Sequence, residues 1–228
     1  MKIFAIKYGE SVLPQKQIFA GNTEDNPMPI SFMIYLISFS NNLVLIDAGC
    51  HTMPGFTMTH FCSPVAVLER MGITRDQITD IVITHADHDH IEETMMFPNA
   101  TVYIQEDEYR RGKQYLLHNS KVITFADTYI LHDCLTIRRV GGHSHGSCVV
   151  ELPKDGRILT FIGDACYLRS CLDLKIPTGC SNEPEMSEAF IHTYSEDPYY
   201  CLLCHESELI QKGNGWKKIF TSDEGLLI

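Results

Sequence analysis

The chain has 228 residues, 44% apolar and 21% charged, which fits one α/β domain over residues 1–228 able to bury about 70% of its unfolded surface. The formal net charge is −11, and Lys and Arg cluster only as pairs, which argues against nucleic acid or another polyanion as partner. No run of 18 apolar residues is present and the first ten residues lack a signal-peptide core, so neither a membrane span nor export is expected and a cytoplasmic location is.

The predicted elements begin with a strand over 2–8. The runs "ISFMIYLISF" (30–39) and "LVLIDAG" (43–49) are strands joined by a turn at Asn41-Asn42, because Asn tolerates positive φ. Ser63 as N-cap, Pro64 at the first helical position and Gly72 as stop predict a helix, with a second short helix from Thr74. Strands follow over 80–84 and 101–105, then a short helix over 106–112. Further strands are expected over 135–140, 147–153, 157–165 and 199–205, a helix over 183–195, and a closing helix at "NGWKKIF" (214–220). Strands and helices alternating in this way suggest two stacked sheets flanked by helices.

The nine cysteines are an odd count without a repeating frame, which favours reduced thiols. Cys201 and Cys204 form a CxxC pair inside an apolar run, where burial in a strand competes with a redox or metal role.

The densest chemistry lies in "ITHADHDHIE" (83–92), directly after a strand, where α/β folds expose ligands. Imidazole and carboxylate suit zinc, iron or manganese, and a two-ion site needs about six or seven protein ligands. The loop cannot supply them all. His143 in "GGHSHGS", Asp164 in "GDA" and His205 in "CH" each follow a strand or a glycine turn and are candidates to complete the set.

The ordered series "LIDAG", "THADHDH", "GGHSHGS", "GDA" and "CH" resembles the metallo-β-lactamase superfamily, whose loop reads His-x-His-x-Asp-His. The resemblance runs from about residue 30 to 210. Within it, the chain is similar to the small N-acyl homoserine lactone lactonases, in the Asp164-Ala-Cys-Tyr167 spacing and in "FPNATVYIQEDEY". The resemblance implies an αββα sandwich and a pair of divalent metal ions, most commonly zinc in the family. It implies that His85, Asp87 and His143 hold one ion, that Asp89, His90 and His205 hold the other, and that Asp164 bridges. Asp87 stands where the family has histidine, as Glu does in the flavo-diiron branch, and an added anion favours Fe or Mn. Glu92-Glu93 replaces the family's glycine pair, which implies a different charge or access beside the loop. His88 reads as a neighbour of the site or a substitute for the absent imidazole, and His145 as a weaker candidate. Asp47 reads either as the carboxylate that orients a ligand histidine or as a strand-end turn residue.

The implied reaction is hydrolysis by a bridging hydroxide of a small molecule with an ester-like carbonyl, such as a lactone. Asp89 would carry the proton to the leaving group, and Tyr167 would donate to the carbonyl oxygen unless it is a packed aromatic. Cys50, Cys166 and Cys204 read as packing residues. The Met- and Phe-rich segments 13–32 and 51–61 either rim an apolar cleft fit for an acyl chain or cap the core. Thioester hydrolysis, or a metal-poor binding scaffold, are the competing readings.

Overall fold

The computed structural model describes every residue except 120, 212 and 228, and the strand-forming runs assemble there into two sheets. In chain order the elements are β1 (Lys2–Pro14), α1 (Gln15–Ile18), β2 (Pro27–Phe39), β3 (Asn42–Ile46), α2 (Pro64–Arg70), β4 (Asp80–Ile83) and α3 (His88–Ile91). They continue as β5 (Thr101–Gln105), α4 (Glu106–Gly112), β6 (Lys121–Phe125), β7 (Thr128–Leu131), β8 (Leu135–Arg139), β9 (Cys148–Lys154) and β10 (Arg157–Phe161). The last are α5 (Arg169–Leu174), α6 (Pro184–Tyr194), β11 (Tyr199–Leu202), β12 (Gly215–Thr221) and β13 (Gly225–Leu226). The larger sheet runs β13-β12-β1-β2-β3-β4-β5-β6 and the smaller β11-β10-β9-β8-β7.

Alternation along each strand explains the layering. Met33, Tyr35 and Ile37 of β2 meet Leu135 and Ile137 of β8 and Val150 of β9 in an inter-sheet core. The opposite faces, with Phe32, Ile34 and Leu36, pack in the core that contains Val67 and Leu68 of α2. Helix α2 starts as its sequence predicts: Ala66 N–H donates to the Ser63 hydroxyl and Pro64 occupies the first turn. The result is the sandwich of sheets and helices that the element pattern predicts. No described helix is long and apolar enough to cross a membrane.

Four features differ from the sequence reading. The tail over 214–220 is strand β12, paired antiparallel with β1, and not a helix. Trp216, Ile219 and Phe220 have helical spacing, but only Ile219 and Phe220 are buried, and the open edge of β1 takes the backbone hydrogen bonds of the run. Strand β1 continues over 9–14 and β2 begins at 27, so both ends of the 13–32 segment lie in strands. Strands β6, β7 and β13 are not expected from the sequence. The β2–β3 turn is Ser40-Asn41, with the positive φ of 50° on Ser40.

Candidate metal centre

Topology gathers the candidate residues at one end of the sandwich. Strands β3 and β4 run parallel, as do β10 and β11, so the chain leaves each pair on the same side. Because β9 is antiparallel to both β8 and β10, the β8–β9 loop carrying His143 lies at that same end. Two backbone bonds tie the ends together: Cys148 N–H donates to Thr84 C=O at 2.8 Å, and Ser31 N–H donates to His205 C=O at 3.0 Å.

The carboxylate of Asp164 sits between two groups of side chains. Its Oδ2 lies 3.7 Å from Nε2 of His85 and 3.8 Å from Nε2 of His143. Its Oδ1 lies 3.1 Å from Nε2 of His90 and 2.9 Å from Nε2 of His205. Asp87 joins the first group, with Oδ2 3.1 Å from His143 Nε2 and 3.8 Å from His85 Nε2. Asp89 joins the second, 3.6 Å from His90 Nε2. The seven residues thus lie together, with Asp87 beside His85 and His143, and Asp89 beside His90.

Each imidazole turns Nε2 inward because its other nitrogen is held from behind. Nδ1–H of His90 donates to Asp47 at 2.8 Å, that of His143 to Cys180 C=O at 2.9 Å, and that of His205 to Ser31 C=O at 2.8 Å. Nδ1 of His85 lies 3.1 Å from the Thr84 hydroxyl, which itself donates to Asp47. This arrangement aims Nε2 of each ring at the cluster, the orientation that metal ligation by histidine requires once any proton there is displaced. Nε2 of His85 and of His90 are buried with no hydrogen-bond partner. Buried polar atoms are rarely left so, and two unpartnered ring nitrogens beside three carboxylates fit divalent cations.

The electrostatics agree. Burial pushes the Asp164 carboxyl up, but His205, His90 and His85 outweigh it and hold the group well below the usual range. Burial lowers His90, and Asp164, Asp47 and Asp89 more than reverse this, raising it. His85 is lowered by burial and by His90, which leaves it neutral. Burial raises the Asp89 carboxyl.

The remaining candidates fall around this centre. His88 points away, with Nε2 3.1 Å from the Thr52 hydroxyl and Nδ1 3.3 Å from the Tyr115 hydroxyl, so it does not stand in for the absent imidazole. His145 is exposed and pairs with Glu183 at 2.7 Å. Tyr167 is buried, its ring 5.0 Å from that of His205 and 6.4 Å from that of His143. Glu92 does not face the centre: it accepts from the backbone N–H of His51 and Thr52. Glu93 likewise accepts from Val65 N–H at the start of α2. The two glutamates fasten neighbouring segments to the ligand loop.

Cys204, read from the sequence as a packing residue, and two residues that the sequence did not single out also support the centre. The Cys204 thiol donates to Asp164 Oδ1 at 3.4 Å. Glu108, fully buried, accepts from Ala86 N–H and from Gly146 N–H, tying the loop of His85 to the loop of His143. Arg111 donates to Asp87 at 2.7 Å. In the sequence these two sit in "EDEYRRG", which reads only as a short helix.

A family model described as the metallo-beta-lactamase superfamily matches residues 33–197. The chain is 23% identical to an N-acyl homoserine lactonase of Bacillus cereus over 201 residues, 77% of this chain and 80% of the relative. It is 22% identical to one of Bacillus thuringiensis over 223 residues, 86% and 87% of the two chains. Among solved structures, a quorum-quenching N-acyl homoserine lactone hydrolase superposes with a TM-score of 0.79 at 18% identity, covering 92% of this chain and 94% of the other. A dizinc quorum-quenching lactonase superposes with a TM-score of 0.70 at 16% identity, covering 96% and 94%.

Proposed function

We propose that this chain, which belongs to the metallo-beta-lactamase superfamily, is a metal-dependent hydrolase that opens lactones or cleaves related esters. The observation that carries the reading is the division of Asp164, one oxygen toward His85 and His143 and the other toward His90 and His205. That geometry suits a carboxylate shared by two divalent ions. His85, Asp87 and His143 would hold one, Asp89, His90 and His205 the other. When bound, such a pair supplies Lewis acidity and activated water.

The chain's own residues do the rest. Four imidazoles fixed from behind keep the cluster in one geometry before substrate arrives, so little reorganisation is needed during reaction. Burial pushes the Tyr167 phenol up, which keeps it a protonated donor for the substrate carbonyl oxygen. Asp89, raised by burial, is suited to pass a proton to the leaving alkoxide. Phe56, 41% exposed, packs 5.8 Å from Phe32, which packs 5.1 Å from His205. This run of rings from surface to centre supports an apolar approach for an acyl chain. The relatives' activity on N-acyl homoserine lactones makes these the first substrates to try. Nine free cysteines fit a reducing, cytoplasmic setting.

The test is elemental analysis of protein purified without chelator, followed by assay on N-acyl homoserine lactones, simple lactones and acyl thioesters. Two ions per chain and lactone opening are expected. Cleavage of thioesters alone would move the reading to thioester hydrolysis. A chain that holds no metal, even after addition of Zn, Mn or Fe, would overturn it.

A further inference from the structure

Asp87 is the residue of the candidate ligand set that departs from the superfamily's histidine, and a carboxylate there adds negative charge to the first metal position. The structure supplies a counter-charge. Arg111 extends its guanidinium from α4, donating through Nη2 to Asp87 Oδ1 at 2.7 Å and through Nη1 to Glu108 Oε2 at 2.6 Å. Only Oδ2 of Asp87 is left to face His85 and His143.

Arg111 is 43% exposed, yet it is not a free surface arginine. Its anchor, Glu108, is fully buried and also accepts from Ala86 N–H at 2.8 Å and the Ser144 hydroxyl at 2.7 Å. The planar fork of arginine spans two carboxylates at once, a geometry that lysine's single ammonium does not match. Close packing brings the helix within reach: a Cβ on the next residue, Gly112, would lie 2.9 Å from Cβ of Ala86. The fork therefore has a fixed origin and a fixed target.

We propose that Arg111 neutralises Asp87 and occupies one of its two oxygens, so that the Asp87–Arg111 pair replaces a neutral imidazole and sets which divalent ion the first position holds. This rests on the metal-centre reading above. An unpartnered carboxylate, anionic and free to bind through both oxygens, favours a harder ion such as Mn²⁺, whereas imidazole suits Zn²⁺. Pairing with guanidinium removes both of those advantages. Arg111 is thus a positioning residue, which acts on the ion only through Asp87.

The test is displacement of zinc from the zinc-loaded protein by added Mn²⁺, read as bound zinc and manganese by elemental analysis after desalting. Arg111→Met is expected to give up zinc from one of its two positions at about tenfold lower Mn²⁺ than the unaltered protein, within the range known for changes to residues that support metal ligands. Arg111→Lys keeps a positive charge beside the buried Glu108 and so protects the fold, and is expected to shift in the same direction. In the Asp87→His background the Arg111→Met shift should largely vanish, because a metal-facing imidazole offers the guanidinium no acceptor. The same displacement curve with and without Arg111, or the same shift in both backgrounds, would overturn the proposal. If the unaltered protein takes up no zinc at all, the metal-centre reading itself fails. Zinc uptake with no Arg111 effect refutes this inference alone.

Discussion

Oδ2 of Asp47 accepts a hydrogen bond from Nδ1–H of His90 at 2.8 Å, and the same carboxylate accepts from the N–H of Thr84 at 2.7 Å and its hydroxyl at 2.8 Å. One buried side chain thereby orients His90 directly and His85 through Thr84. Asp47 has a φ of +61°, in the left-handed region that Asp and Asn tolerate better than most residues. Asp47→Asn should keep the backbone and fold, and weaken metal binding by roughly 10–100-fold, measured against a competing chelator. Asp47→Ala also strains the backbone and strands buried donors, so it should lose about 2–4 kcal/mol of stability in denaturant melts. Equal metal affinity in Asp47→Asn would remove the orienting role.

The two histidines that flank Asp89 should behave oppositely. His88 faces Thr52 and Tyr115, and His90 faces Asp164. His88→Ala should leave metal content per chain unchanged, whereas His90→Ala should lose about one ion of two. A loss of metal in His88→Ala would mean that His88 turns inward when the site fills.

Metal uptake should be linked to protons. In the metal-free chain burial lowers His143, but hydrogen bonding to Asp87 and the charge of Asp164 outweigh it and raise the group to about 9. Its folded pKa lies above the unfolded value, so its stabilising contribution is full below about pH 6.5 and is lost as pH rises through about 9. A metal must displace that proton. Apparent affinity should therefore climb by about tenfold per pH unit for each proton released, levelling near pH 9. Calorimetry in buffers of different ionisation heat reads the protons directly, and affinity independent of pH from 6 to 9 would contradict the linkage.

Glu93 gives a second, independent pH effect. Burial pushes its carboxyl up to about 7, despite the Val65 N–H and Ser63 hydrogen bonds that pull it down. The folded state holds this proton more tightly than the unfolded one, so stability falls as pH rises from about 4.5 to about 7. Glu93→Gln retains an acceptor for Val65 without the ionisation. Its melting temperature in the metal-free protein should match the parent near pH 5 and exceed it at pH 8, by an amount worth up to about 3 kcal/mol. Identical curves at pH 8 would show that Glu93 is ionised without penalty.

Much of this centre was legible in the chain because metal chemistry restricts residue type and strand ends restrict place. His85, Asp87, Asp89, His90, His143, Asp164 and His205 all follow strands or glycine turns in the sequence, and the structure brings them together. Strand periodicity likewise identified most of both sheets, since alternation reports the buried face locally. Contacts between distant segments were not legible. His88 lies in the densest ligand loop, yet one short turn of α3 aims it outward. Glu92 and Glu93 looked like charge beside the site until the fold showed them fastening backbone amides. Residues 214–220 became a strand only because β1 offered an edge. The short-helix reading of 106–112 marks neither Arg111 nor Glu108, because nothing local to α4 shows that Ala86, Asp87 and Ser144 pack against it. Sequence by itself determined which metal-compatible side chains are available and roughly where strands end. Tertiary structure decided which way each side chain faces and what holds it there, since those partners lie up to 174 residues apart, as in His205 and Ser31.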